Sequence, residues 1–199
     1  MKRFLYILAC LLLSIYVKAQ LIYNEKGEVV PFSMSEKYKN LIDTSKVNAC
    51  TLKSYNNDSL YISYNKNQES AFNDEVVAGF PIDTLINIRT KATKYQIGEG
   101  TLWLYKVESK TAEMINIEMK NLIIPMGAYI CIFPKKEELA KKGPQLFFKK
   151  DIPNPNFRQR QYGNQLFIEY FEPNNTETKA NIVISSIDYI FISPFRKKH

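Results

Sequence analysis

The chain has 199 residues, 45% of them hydrophobic, with a formal net charge of +7. That length suits one domain with a sizeable core. Glycine is scarce, at seven, which disfavours a glycine-rich phosphate cradle. The single histidine, His199, is the last residue, a position unsuited to holding an imidazole between a nucleophile and a carboxylate. Histidine-based zinc sites fall for the same reason, and no C-x-x-C spacing is present.

Residues 1–19 read as a secretory signal peptide. Lys2 and Arg3 open it, an apolar run over 4–17 follows, and Val17-Lys18-Ala19 ends it on a small residue. The expected cut lies between Ala19 and Gln20. The run is short for a membrane anchor of about 20 apolar residues, so no membrane span is expected after cleavage. Secretion would place the protein in the periplasm, on the cell surface or outside the cell. Cleavage removes three cations and takes the charge from +7 to +4. Eight of the remaining cations fall within 135–160, against three acids. With Phe147, Phe148, Phe157 and Tyr162 nearby, this stretch has the elements of a nucleic-acid surface. Export and the modest charge favour a solvated face instead, or a surface for anionic glycans or an acidic protein. No nucleic-acid partner and no cofactor is expected.

In chain order, residues 20–30 predict a short strand turning at Lys26-Gly27, and 31–46 predict irregular chain. Cys50 is followed by an alternating stretch, 52–64, that predicts a strand after a turn at Asn56-Asn57-Asp58. Residues 65–74 read as an exposed loop and 82–88 as a strand. The stretch 101–134 is the most informative. Trp103, Tyr105 and Val107 alternate with Leu102 and Leu104. Ile115, Ile117 and Met119 face away from Asn116 and Glu118, and Tyr129, Cys131 and Phe133 alternate with Ile130 and Ile132. Such alternation predicts antiparallel strands buried on one or both faces. Trp103 is a core candidate, and Pro125-Met126-Gly127 supplies the turn before the third strand.

Residues 135–142 have helix-favouring composition, stopped by Gly143-Pro144. Residues 151–161 read as a loop, 165–171 as a strand, and 182–192 as two strands meeting near Ser185-Ser186. The expected fold is an all-β antiparallel sandwich, jelly-roll-like, with at most one short helix. Residues 78–193 would form its core, 20–77 would pack on it as strands and loops, and 194–199 would be a basic tail.

Cys50 and Cys131 are either a disulfide, which export permits, or two separate buried thiols. Glu108, Glu118, Glu169 and Glu172 lie on or beside strands and are the residues a carboxylate-based hydrolase would need. They read as ordinary solvent-facing strand positions. Tyr55, Tyr61, Phe147 and Phe148 are the candidates for an exposed aromatic platform that would bind a surface glycan.

The order of elements resembles the N-terminal pro-domain of secreted lysyl-endopeptidase-type, trypsin-like serine proteases of Bacteroidetes. The matching positions are the Trp103 strand, the Pro125/Gly127 turn and Gly143-Pro144. A strand led by Gly163 follows and ends in Glu169-Tyr170-Phe171-Glu172-Pro173. Ser185 and Tyr189 match the final strand. The resemblance covers about 78–192. It implies a non-catalytic folding aid and temporary inhibitor that binds a trypsin-like protease domain, with Arg196, Lys197 and Lys198 suited to a processing cut. In that family a protease domain follows, whereas here the chain ends at His199, so no catalytic residue carries over. The chain reads as a truncated precursor or a stand-alone relative. The alternative is a secreted or surface module that binds glycans or another protein.

Overall fold

The computed structural model describes residues 22–23, 29–66, 77–135, 143–148 and 156–192. Twelve strands are described. They are β1 (Ile22–Tyr23), β2 (Val29–Val30), β3 (Ala49–Thr51), β4 (Ala78–Asn87), β5 (Thr93–Ile97) and β6 (Gly100–Glu108). After these come β7 (Met114–Met119), β8 (Tyr129–Pro134), β9 (Gln145–Phe148), β10 (Phe157–Tyr162), β11 (Gln165–Pro173) and β12 (Val183–Ile192). Two helices accompany them, α1 (Asn57–Lys66) and the single turn α2 (Ile88–Lys91).

β1 and β2 pair with each other as a two-stranded ribbon, and the other ten strands form two packed sheets. One has the order β10-β7-β12-β4 and the other contains β6-β11-β8-β9. Strands β4, β12, β7 and β10 facing β6, β11, β8 and β9 make an eight-stranded jelly roll, so the sandwich expected from the sequence is the observed architecture. Two further strands share the outer side of β6. β5 pairs antiparallel with its first half, and β3 pairs with Lys106–Glu108 in the one parallel ladder among the described strands.

Strand register explains the burial. On β6, β8 and β11 one set of alternate residues, including Trp103, Ile130, Ile132, Ile168 and Tyr170, points into the core between the sheets. Ile115, Ile117, Met119, Ile184, Ile187 and Tyr189 meet them from the other sheet. The opposite set, including Leu102, Leu104, Tyr129, Cys131, Phe133, Phe167 and Phe171, enters a second core. Phe32, Tyr38, Ile42 and Val47 cover it. Residues 31–47 are therefore a strap across the outer face of the larger sheet, built from two 3-10 turns, Phe32–Met34 and Thr44–Lys46. The central strands lack a polar face because both sides are covered.

Four local expectations are corrected. Residues 57–66 are helix α1, not strand. The Asn56 side chain accepts the Ser59 N–H (3.0 Å) as its cap, and Leu60 and Tyr64, spaced i and i+4, pack on the core. A second helical turn, α2, is capped by Asn87 through the Arg89 N–H, so the described residues contain two helices rather than at most one. Residues 157–162 form the edge strand β10, not loop. Residues 183–192 form one strand, with a bulge at Ser185 relative to β7. The helix-favouring stretch 136–142, most of the loop 65–74, and 193–199 lie outside the described residues.

Candidate functional site

The strap is held by two carboxylates on different parts of its length. Glu169, in the middle of β11, points to the strap side and is fully buried. It accepts the backbone N–H groups of Phe32 (2.8 Å) and Ser33 (2.9 Å) and the Tyr129 hydroxyl (2.9 Å). Pro31 opens this 3-10 turn without a side-chain cap of its own, so a residue 137 positions away serves the free amides. Burial raises the Glu169 pKa, and the donors from Ser33, Phe32 and Tyr129 oppose the rise. The Ser33 side chain faces this carboxylate as well and, with the backbone N–H groups, favours its charged form. At the margin, Glu99 of the β5–β6 turn accepts from Tyr38 Oη (2.6 Å) and pairs with Lys37 (2.5 Å). Those two hydrogen bonds lower its pKa.

Beside the Glu169 clamp, the strap and the sheet leave a groove of about 600 Å³. Its apolar lining comes from Met34, Ile42 and Phe167. Ser33, Thr44, Ser45 and Gln165 add hydroxyls and an amide, and Lys39, Lys106 and Lys135 add charge against Glu36. Lys39 pairs with Glu36, and Lys106 pairs with Glu108 at 3.0 Å.

The four glutamates considered for catalysis are separated by role. Glu169 is the strap clamp, which corrects its reading as a solvent-facing residue. Glu108 engages Lys106, Gln165 and Thr51. Glu172 accepts from Tyr170 and pairs with Arg89 at 3.3 Å. Glu118 lies on the other sheet, paired in register with Arg158 and Ser186.

The aromatic candidates do not share a platform. Tyr55 packs edge-on against Phe80 and Tyr189. Phe147 packs against Phe157 on the inner core and Phe148 against Tyr129 on the strap side. Neighbours on one strand point to opposite faces, so Phe147 and Phe148 cannot present one surface. Tyr61 is 36% exposed on α1.

Cys50 and Cys131 are free thiols. Cys50 contacts the inner core from β3 and Cys131 lies in the strap-side core on β8. Three strand spacings separate them, at least about 14 Å, and Cys50 is level with Pro134 rather than Cys131 on β8, which puts them beyond the reach of a disulfide. The separate-thiol alternative is the one realised. Burial raises both pKa values, that of Cys131 strongly.

Trp103 is 5% exposed. Its ring stacks on Tyr170 at 5.2 Å, with the Arg89 guanidinium 5.3 Å from its centre. Pro125 and Gly127 form the expected turn, in which the Ala128 N–H donates to the Pro125 carbonyl (3.2 Å) and Gly127 takes φ 79°. Ala19, Gln20, Arg196, Lys197, Lys198 and His199 lie outside the described residues. Among the described residues no helix is long and apolar enough to cross a membrane. No protein-family model matches the chain, and no curated protein sequence matches it.

Proposed function

We propose that this chain is an exported, non-catalytic binding module of the protease pro-domain type, acting by surface complementarity on a trypsin-like protease domain. The observation that carries this reading is the role played by the residues behind the resemblance. Trp103 and Tyr170 stack within the core. Gly127 and Gly163 occupy left-handed turns, at φ 79° and 93°, where a glycine costs least. Glu169 and Glu172 fix neighbouring segments of chain. The resemblance thus falls on positions that determine a scaffold, as expected for a domain whose work is shape. Further support comes from the carboxylates, which hold separate structural partners instead of converging on one cleft. Contact surface is available at β4, one of the two edge strands of its sheet among the described strands, where Leu85 is 82% exposed. Extended edges of this kind accept partner strands.

The test is titration of the purified chain into a lysyl endopeptidase and an arginine-specific relative, following both peptide hydrolysis and complex formation. Slowed hydrolysis with a stoichiometric complex is expected. Unchanged rates and no complex with either protease would refute the reading.

A further inference from the structure

A strand at the edge of a sheet carries unpaired backbone N–H and C=O groups, and folded proteins guard such edges with charge, proline or shortness. Among the described strands of the two packed sheets, β3, β4, β5, β9 and β10 each leave one edge unpaired. β3 and β9 are short, with three and four residues. β5 has five residues and carries Lys94. β10 exposes Arg158 and Arg160. β4 differs. It has ten residues and no cation, and Pro81 guards only its first half. The second half has one charge, Asp83, and presents Leu85, which at 82% is the most exposed large apolar side chain among the described residues.

We infer that residues 83–87 of β4 pair antiparallel with the same residues of a second copy of this chain, about a two-fold axis at Leu85. A two-fold contact must be self-complementary, and this register is. Opposite residues of an antiparallel pair share a face, so Leu85 meets its own copy and each covers the other. Asp83 falls opposite Asn87, a neutral amide that can donate to it, at both ends of the ladder. Centring on Asp83 instead would set two carboxylates against each other, which is destabilising. The fold also ends the ladder at these residues. The next position sets Ile82 against Ile88, where α2 begins, and beyond it stands Pro81, which has no N–H to give.

The ladder is short and its apolar content is two leucines. The association therefore belongs to the weak, transient class, with a dissociation constant on the order of 10–100 µM. The protease reading uses the same edge, so the dimer and a protease complex exclude each other, but the self-pairing does not depend on that reading.

Sedimentation velocity on the full chain from about 1 to about 200 µM, a range that brackets this constant, tests the inference. Monomer at the low end and dimer at the high end are expected. Leu85→Lys opposes two ammoniums on the axis and should weaken association by about tenfold or more. Leu41→Lys, at a 52% exposed position on the strap, should leave it unchanged. In air, Leu85→Cys should form an intermolecular disulfide, because opposite Cα atoms lie about 4.5–5.5 Å apart, within disulfide reach. Met126→Cys, at a 78% exposed position in a turn, should not. Thermal melts establish that each variant is folded. A chain monomeric at the top concentration, its β4 edge then left to a different partner, would overturn the inference. So would a dimer that survives Leu85→Lys, or a Leu85→Cys protein that cross-links no faster than Met126→Cys. None of these results turns on the protease titration.

Discussion

Trp103→Ala is expected to destabilise the fold by about 3–5 kcal/mol, the range for removing a large aromatic from a core. The indole lies on the inner face of β6, 5% exposed, stacked on Tyr170 and capped by the cations of Arg89 and Lys94. Truncation leaves a cavity at the level where β5, β6, β11 and α2 meet, because Lys94 and Tyr170 are its cross-strand partners. It also removes the ring on which one guanidinium and one ammonium group rest, an interaction worth roughly 0.5–1 kcal/mol each at exposed sites. For a chain this size each kcal/mol moves Tm by about 2–4 °C, so a fall on the order of 10 °C is the expected reading. Leu85→Ala, at an 82% exposed position, serves as the control and should stay within about 0.5 kcal/mol. A melting curve for Trp103→Ala that overlays the parent would show that β6 has been assigned to the wrong face.

The second large effect is expected at Glu169. Removing its carboxylate leaves the Phe32 and Ser33 N–H groups and the Tyr129 hydroxyl buried without an acceptor. Unsatisfied buried groups cost about 1–3 kcal/mol each, so Glu169→Ala should lose at least about 3 kcal/mol or release the strap. Glu169→Gln preserves volume but turns an amide NH₂ toward donors, and should lose less than the alanine variant. The pH dependence has a definite sign. Burial raises the folded pKa above the ordinary value of 4.5, so the folded state holds the proton more tightly than the unfolded one. The stability contributed by this group is therefore full below about pH 4.5 and declines as pH rises to the folded value. Glu99 has the opposite sign. Its pKa is lowered by Lys37 and Tyr38, so its contribution is present above the ordinary value and lost as pH falls through the folded one. Denaturant melts from pH 4 to pH 8 should show a falling limb in the parent that Glu169→Gln lacks. An identical pH profile in the two proteins would contradict the clamp.

Much of the sandwich was legible because its central strands alternate so regularly. The pattern in 101–134 marks two sets of inward residues, and covering the larger sheet on both sides explains why neither set is polar. The errors have local physical causes. Leu60, Ile62 and Tyr64 have period two, yet Leu60 and Tyr64 also satisfy the i, i+4 spacing of a helix, and the Asn56 cap decides for helix. The strand 157–162 carries Arg158, Gln159, Arg160 and Gln161, so an edge strand looked like a loop. Ser185 and Ser186 suggested a break where the strand only bulges. The strap clamp was missed although a signal existed. Glu169 shares a face with Phe167 and Phe171 in a strand apolar on both sides, and a carboxylate in that position requires buried donors. What covered it could not be inferred, since Phe32 and Ser33 are more than a hundred positions away. The groove is equally non-local, assembled from the strap and three separate strand ends.

The account depends on residues 31–47 being a fixed part of the fold, which commits Glu169 to structure and shapes the groove beside it. Hydrogen exchange at the Phe32 and Ser33 amides tests this most directly. Both should be protected to a degree approaching the core amides of β6, β8 and β11, and Glu169→Gln should release them selectively. Exchange at the rate of an unstructured peptide, with the core strands still protected, would contradict it.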